Sequence, residues 1–235
     1  KSYKRHKVLK GISFSIEKGS IFALLGSNGA GKTTAINLLS TLMKPDGGNA
    51  AICGFDIVRH AKKVREYISL TGQYAAVDEL LTGKENLRLI GALRHLTDRN
   101  KRADELLEFF QLTDSANRRV ATYSGGMRRR LDLAMSLVGN PSVIFLDEPT
   151  TGLDPQSRQS LWKIIQSLAD SGTAIFLTTQ YLEEAEHLAD HIAILHNGLI
   201  AAEGTPDELK VKFSQDTLED VFLKLVEENK GEMNK

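Results

Sequence analysis

GSNGAGKTT (residues 26–34) matches the phosphate-loop pattern G-x-x-x-x-G-K-[ST]. It follows the apolar run IFALL (residues 21–25), which predicts a buried strand, and leads into a helix predicted near residues 32–42. Glycines let main-chain N–H groups approach phosphate, and the helix N-terminus adds partial positive charge. We expect the Lys32 ammonium to bind the β- and γ-phosphates and the Thr33 hydroxyl to coordinate Mg²⁺. The predicted nucleotide-binding residues of this loop are Gly26, Ser27, Asn28, Gly29, Ala30, Gly31, Lys32, Thr33 and Thr34.

A second segment, FLDEPT (residues 145–150), places two acids at the end of a hydrophobic strand. This arrangement can hold the Asp147 carboxylate beside Mg²⁺, usually through water, and the Glu148 carboxylate beside an attacking water. The alternative for so short a pattern is an acid pair on the surface. The phosphate loop upstream and GLDP (residues 152–155) directly afterwards favour the catalytic interpretation, with Glu148 as a catalytic residue.

Composition limits the class of protein. The chain has 235 residues, of which 41% are hydrophobic and 26% charged, as expected of one globular domain. Lys+Arg and Asp+Glu each number 30, so no nucleic-acid partner is expected, and the arginines at 128–130 are interpreted as solvated or structural. No apolar run approaches the roughly 18 residues needed to cross a bilayer. If the protein works at a membrane, another polypeptide must supply the spans.

The order of the patterns predicts an α/β fold with a P-loop NTPase core, in which helices flank a mostly parallel sheet. An antiparallel β subdomain and an inserted α-helical subdomain are expected to complete a single domain over residues 1–235. Residues 1–80 and 140–215 would form the core with its N-terminal β subdomain, and residues 81–139 the helical subdomain. Residues 216–235 would form a C-terminal helix, ending in a charged tail after Glu227.

Local signals place several elements within this plan. Period-two hydrophobicity through ISFSI (residues 12–16) predicts a strand near the N-terminus. Thr82 with Glu85 predicts a helix start of the capping-box type. The triplet at 196–198, His-Asn-Gly, predicts a hairpin turn between two strands. Thr205 followed by a proline predicts the start of another helix.

Between the two chemical segments lies YSGGMRRRL (residues 123–131). Its Ser-Gly-Gly resembles the signature motif of the ATP-binding cassette (ABC) family, and other motifs of that family occur in the same order over nearly the whole chain. The resemblance implies that Ser124, Gly125 and Gly126 face the γ-phosphate of an ATP molecule held by a second subunit. A serine hydroxyl, glycine amides and a helix N-terminus are groups that suit that role.

The resemblance assigns further roles to residues outside these segments. Tyr3 stands where the family places an aromatic ring against adenine, and its alternative is packing on the core. Gln73 corresponds to a glutamine that touches Mg²⁺, near the place where the helical subdomain meets a membrane partner. Asp154 corresponds to an aspartate at the seam between two subunits. The implied metal ligands are therefore Thr33, Gln73 and Asp147.

Two positions depart from the commonest pattern of the family. Met127 replaces the last glutamine of the signature, and Gln180 stands where most members carry a histidine that contacts the γ-phosphate. Gln180 is retained as a catalytic candidate, because an amide can hydrogen-bond the same oxygens although it cannot be protonated. A degenerate site is one interpretation. A subfamily variant is favoured, because the residues of the phosphate loop and acid pair are intact, namely Lys32, Thr33, Asp147 and Glu148.

YSGGMRRRLDLA together with LTTQYLEEAE resembles the ATPase subunits of daunorubicin/doxorubicin-resistance-type exporters, which pair with ABC-2-type permeases. The implied function is ATP hydrolysis that drives export of drugs or other lipophilic compounds. The implied cofactors are ATP and Mg²⁺, and the implied partners are a transmembrane permease and a second ATP-binding subunit, in a homodimer or a heterodimer. The implied location is the cytoplasmic face of the cell membrane. A non-hydrolysing regulatory cassette and a soluble ABC ATPase without a transport role are the alternatives.

Overall fold

A computed structural model of the chain describes residues 1–73 and 75–232, with side chains given as far as residue 225. Within these residues the strands are β1 (Ser2–Tyr3), β2 (His6–Lys7), β3 (Ile21–Leu25), β4 (Ala51–Ile52), β5 (Phe55–Asp56), β6 (Ile68–Thr71), β7 (Val143–Asp147), β8 (Ala174–Thr179), β9 (His191–His196) and β10 (Leu199–Gly204). The helices are α1 (Lys32–Leu39), α2 (Ala61–Tyr67), α3 (Gly83–Leu93), α4 (Arg99–Phe109), α5 (Gly125–Ser136), α6 (Pro155–Asp170), α7 (Leu182–Leu188), α8 (Pro206–Phe213) and α9 (Leu218–Glu232).

A six-stranded sheet in the order β10-β9-β3-β8-β7-β6 forms the centre of the fold. All neighbouring strands are parallel except β10, which pairs antiparallel with β9 at one edge. Strands β3 and β8 are buried along their whole length, as continuous apolar runs in a parallel sheet require. The predicted α/β fold with a mostly parallel sheet is therefore confirmed.

The carboxyl ends of the sheet strands bring the chemical segments together. Residue Leu25 at the end of β3 lies in register with Thr179 of β8, and Asp147 of β7 lies in register with Thr178. The phosphate loop, the acid pair and Gln180 therefore all follow the sheet at the carboxyl ends of its strands. Ligands of open α/β sheets bind at this edge, outside the carboxyl ends of the strands.

The strand predicted through residues 12–16 is wrong, since none of these residues belongs to a strand. The alternating burial behind that prediction is nonetheless present, because Ile12, Phe14 and Ile16 pack on the core while the serines between them are exposed. Phe14 stacks on Phe22 with 4.7 Å between ring centroids. A period of two records which side chains face the core, whereas a strand also needs a neighbouring chain to share hydrogen bonds. The antiparallel strand pairs in the N-terminal part of the chain are β1 with β2 and β4 with β5, each strand being two residues long.

The helical composition of residues 81–139 is confirmed by α3, α4, two 3₁₀ turns and α5. Helix α3 begins with the predicted capping box, in which Thr82 Oγ1 accepts from the Glu85 amide at 3.2 Å. The Glu85 carboxylate accepts from the Thr82 amide at 2.8 Å. The division of the chain into core and subdomains stays a prediction.

Of two predictions near the C-terminus, one is confirmed and one is wrong. The hairpin is confirmed, with Asn197 and Gly198 at positive φ of 49° and 79° between β9 and β10. The predicted tail after Glu227 is wrong in its start, because α9 continues to Glu232. Glutamate and lysine are good helix formers, so the charge of this segment does not end the helix. Residues 233–235, also part of the predicted tail, lie outside the described residues.

Candidate functional site

The phosphate loop is shaped by two glycines with positive φ. Gly29 has φ 81° and Gly31 has φ 113°, a region that residues with side chains rarely adopt. A Cβ atom on Gly31 would also lie 2.8 Å from Leu9 Cδ2. Helix α1 begins at Lys32, directly after this turn, and ends at Leu39 rather than near residue 42. The free N–H groups of its first turn therefore stand beside the loop, as anion binding requires.

The Lys32 side chain is buried at the base of this loop. Its Nζ atom donates to the main-chain oxygens of Gly26 at 2.8 Å and Ser27 at 3.3 Å. The same atom lies 3.2 Å from Glu148 Oε1, and the two side chains are only 5% and 11% exposed. A lysine ammonium and a glutamate carboxylate thus face the same small space.

The acid pair is held from the neighbouring strand. Asp147 closes β7, and its Oδ1 accepts from the buried Thr178 hydroxyl at 2.5 Å. The Glu148 amide donates to the Thr178 main-chain oxygen at 3.0 Å, and Glu148 Oε2 accepts from the Thr151 hydroxyl at 3.3 Å. Glu148 has φ 48°, an unfavourable value for a residue with a side chain. Such backbone strain, on the order of 1–3 kcal/mol, persists where surrounding contacts fix it and clusters at active sites.

A cavity of about 400 Å³ lies over these groups. Ten of the residues predicted from the sequence line it: Asn28, Gly29, Gly31, Lys32, Thr33, Thr34, Gln73, Asp147, Glu148 and Gln180. Val8 and Thr151 also line it, and sequence reasoning missed both. Thr151 directly follows the FLDEPT segment, which was a usable signal, whereas nothing local to Val8 indicated that it would reach the loop.

The donor set in this cavity suits a hard cation. Thr33 brings a hydroxyl, Gln73 an amide oxygen and Asp147 a carboxylate, and oxygen ligands are those that Mg²⁺ prefers. Among the described residues, no group of three or more His, Cys, Asp or Glu side chains could hold a metal by itself. Mg²⁺ is usually held by one or two carboxylates together with substrate phosphates and water, so these residues fit such an ion.

Several predicted residues do not line this cavity. Tyr3 lies on β1, is 44% exposed, and donates its hydroxyl to Met43 Sδ at 3.2 Å. Its role beside adenine stays a prediction. The other predicted residues outside the lining are Gly26, Ser27, Ala30, Ser124, Gly125, Gly126 and Asp154.

The signature residues form the start of α5. Ser124 is the N-cap, and its Oγ accepts from the Met127 amide at 3.3 Å. Gly126 faces Ser157 on α6, so closely that a Cβ atom on Gly126 would lie 2.8 Å from Ser157 Cβ. Met127 is partly buried and packs against the core, where its flexible apolar side chain can fill irregular gaps.

Helix α6 continues this arrangement on its side of the contact. Asp154 is its N-cap, and the Asp154 carboxylate accepts from the Ser157 amide at 2.9 Å and from the Ser157 hydroxyl at 2.6 Å. These bonds from Ser157 hold the pKa of Asp154 below its usual range. The N-termini of α5 and α6, with the signature and Asp154, therefore form one surface of the molecule.

Sequence reasoning missed the buried pair Arg129 and Asp132 on α5. The pair has 3.3 Å between Arg129 Nη1 and Asp132 Oδ2, and each side chain is 7% exposed. The neighbouring Arg128 lies against Glu79, and Arg130 donates to the Phe110 main-chain oxygen. Each arginine of the run at 128–130 thus contacts the protein, in agreement with the structural role considered for them.

Comparison with known proteins identifies the same family. Residues 9–151 match the family described as ABC transporter. A daunorubicin resistance ATP-binding protein of Streptomyces coeruleorubidus is 51% identical over 229 residues, which cover 97% of this chain and 71% of that protein. A Nod factor export ATP-binding protein of Ralstonia nicotianae is 44% identical over 212 residues, covering 89% and 66%. The resemblance to daunorubicin/doxorubicin-resistance ATPases is thereby confirmed.

Solved structures agree with these relatives. The ATP-binding subunit of an ABC transporter superposes with a TM-score of 0.84 at 30% identity, over 95% of both chains. An ATP-binding cassette solved as a dimer in a post-hydrolysis state, with ADP and Pi bound, gives 0.75 at 27% identity, over 84% of this chain and 90% of that one. Family, relatives and structural neighbours all describe ATP-binding proteins, and the phosphate loop with Glu148 supplies the matching chemistry. The chain belongs to the ABC transporter family and is an ATP-binding subunit of the ATPase type.

Proposed function

We propose that this chain is the ATP-hydrolysing subunit of an exporter for drugs or other lipophilic compounds, working through a separate ABC-2-type permease. The observation that carries the proposal is the identity of about half of all residues, over nearly the whole chain, to daunorubicin resistance ATP-binding proteins. Among the described residues, no helix is long and apolar enough to cross a membrane. A permease would therefore supply the pathway and hold this chain at the cytoplasmic face of the membrane.

The chemistry of hydrolysis would be divided among the residues around the cavity. Lys32, the loop amides and the first turn of α1 would bind the β- and γ-phosphates. Mg²⁺, held by Thr33 and Asp147 with Gln73 nearby, would neutralise charge on the phosphate oxygens. The Glu148 carboxylate would orient a water molecule for attack on the γ-phosphorus and accept its proton.

Gln180 would complete this group without titrating. The side chain lines the cavity after β8, close to the end of the acid strand. Its amide can donate a hydrogen bond to a γ-phosphate oxygen, but it carries no charge at any ordinary pH. We therefore expect a site that hydrolyses ATP with hydrogen bonding, rather than imidazolium charge, at this position.

A second ATP-binding subunit would complete the site. Ser124, Gly125 and Asp154 are exposed where the N-termini of α5 and α6 meet, and Gly126 is buried against Ser157. Helix N-termini attract anions, so Ser124 and the two glycine amides would bind the γ-phosphate of an ATP held by the partner. Loss of that phosphate on hydrolysis would loosen the contact between subunits.

The regulatory alternative, a cassette that binds ATP without turnover, is less well supported. Its basis is Gln180 and Met127. Met127 packs against the core, and Lys32, Asp147 and Glu148 converge on the cavity. Coupling of ATP hydrolysis to a permease is therefore the better proposal.

The test is reconstitution of the chain with a candidate ABC-2-type permease. The expected result is co-purification of the two proteins and ATPase activity that an anthracycline stimulates in liposomes. Lys32→Ala is the matched control, since it should keep the complex but abolish turnover. Co-purification with ribosomes or DNA, and no ATPase activity with the permease, would contradict the proposal and favour an ABC ATPase without a transport role.

A further inference from the structure

The Arg129 guanidinium joins three segments that are far apart in the sequence. Its Nε donates to the main-chain oxygen of Pro149 at 2.7 Å, and its Nη1 donates to that of Gly72 at 2.6 Å. Its Nη2 lies 3.4 Å from the main-chain oxygen of Asp147. The donors of one planar group therefore hold the backbone on both sides of Glu148 and the end of β6.

Asp132, one turn further along α5, holds the other side of the same loop. Its Oδ1 accepts from the Ala76 amide at 2.9 Å, while Oδ2 faces Arg129. We call Gly72, Gln73, Ala75 and Ala76, the described residues on either side of position 74, the Gln73 loop. Arg129 thus binds the first residue of this loop and Asp132 binds the last, with Gln73 between them.

Arg129 and Asp132 are buried, so both charged groups depend on their partners in the protein to replace water. Loss of solvation raises the pKa of Asp132 and lowers the pKa of Arg129, and each partner's charge opposes that shift. A buried pair of this kind holds its geometry only while every hydrogen bond is kept. Any displacement of the Gln73 loop would therefore pull on the same guanidinium that holds Asp147 and Pro149.

We propose that Arg129 and Asp132 are positioning residues that keep the Gln73 loop in register with the Asp147–Glu148 acid pair. The proposal rests on the function proposed above and adds two residues that set the geometry of its site. Because both residues lie on α5, the helix that begins at the signature carries the groups that hold this geometry.

The primary test is Arg129→Lys. Lysine keeps the charge opposite Asp132, but one ammonium cannot reproduce the guanidinium fork to Gly72 and Pro149. We expect kcat for ATP to fall about 10- to 100-fold, as for other residues that orient a metal site, with a smaller change in KM. Faster hydrogen–deuterium exchange at residues 72–76 should accompany the loss, and this readout does not depend on activity.

A double-mutant cycle with Gln73→Ala separates positioning from a general structural effect. If Arg129 acts through the Gln73 loop, Arg129→Lys in the Gln73→Ala background should cost little beyond the loss caused by Gln73→Ala alone. Independent effects would instead multiply. The pair variant Arg129→Gln with Asp132→Asn provides a second route, since it removes both charges of the pair together.

Arg130→Lys is the matched control. It makes the same change one residue along α5, where the one side-chain hydrogen bond to the described part of the chain goes to the Phe110 main-chain oxygen. Its kcat should stay within about twofold of the wild type, as for substitutions away from such networks.

The outcomes are distinct from failure of the proposed function. If the wild-type chain with its permease hydrolyses no ATP, the proposed function is wrong. If the wild type is active and folded Arg129→Lys retains its kcat, with unchanged exchange at residues 72–76, the positioning role is wrong. Multiplicative losses in the cycle with Gln73→Ala would overturn it as well.

Discussion

Substitution of Gly126 by alanine tests how the signature helix packs. A Cβ atom there would lie 2.8 Å from Ser157 Cβ and closer still to Ser157 Oγ. Ser157 cannot turn away freely, because its hydroxyl donates to Asp154 at 2.6 Å. Overpacking of this kind costs about 1–3 kcal/mol, and the better helix propensity of alanine returns up to about 1 kcal/mol. We expect a net loss of about 1–2 kcal/mol, or a fall in Tm of roughly 2–8 °C for a chain of this length.

The assay is thermal unfolding of the nucleotide-free protein by circular dichroism. Gly125→Ala is the matched control, because a Cβ atom on Gly125 would have no atom of the described residues within 4 Å. Its Tm should be equal to the wild type or slightly higher, since Gly125 is the first residue of α5. Adding Ser157→Gly to Gly126→Ala should recover part of the loss by removing the clashing atoms. If Gly126→Ala is as stable as Gly125→Ala, the close contact between α5 and α6 does not exist in solution.

Three further substitutions test residues near the acid pair at the end of β7. Glu184 is buried and accepts from Trp162 Nε1 at 3.2 Å, and burial raises the pKa of its carboxyl. Because the folded state then binds the proton more tightly than the unfolded state, its stability falls as pH rises above the usual carboxyl range. Glu184→Gln should therefore raise Tm at about pH 8 and lose that advantage near pH 4, and a constant difference would contradict the expectation. Gln180→His should add a titration at about pH 6.5 to the ATPase rate, and an unchanged pH–rate profile would mean that this side chain does not reach the reacting phosphate. Thr178→Val removes the hydroxyl that donates to Asp147 and should raise the Mg²⁺ concentration for half-maximal ATPase activity by about tenfold, whereas an unaltered Mg²⁺ dependence would count against a metal role for that carboxylate.

The parts of the site that could be predicted from the sequence lie in contiguous stretches. The phosphate loop needs its glycines, lysine and threonine at fixed spacing, so the whole motif and its phosphate-binding role can be recognised from the sequence. The acid pair follows a recognisable apolar strand. Gln73 and Gln180 were found only through resemblance to a family, because a single glutamine in a loop has no local signal. The structure then brings both into the same cavity as Lys32.

What could not be predicted depends on contacts between distant segments. Arg129 is one of three consecutive arginines, and nothing in that run indicates which one turns inward to Gly72 and Pro149. The same limit explains the error at residues 12–16. Alternating burial was readable from Ile12 to Ile16, but the lack of a hydrogen-bonded neighbour was a property of the folded chain.

An ATP site completed by a second subunit is tested most directly with Glu148→Gln. The amide keeps the shape of the side chain but cannot accept the proton of the attacking water, so bound ATP should persist. Light scattering should give a monomer without nucleotide and a dimer with saturating ATP and Mg²⁺. The double variant with Lys32→Ala should stay monomeric under both conditions. A Glu148→Gln protein that binds ATP but remains monomeric at saturation would contradict a two-subunit site formed by two copies of this chain.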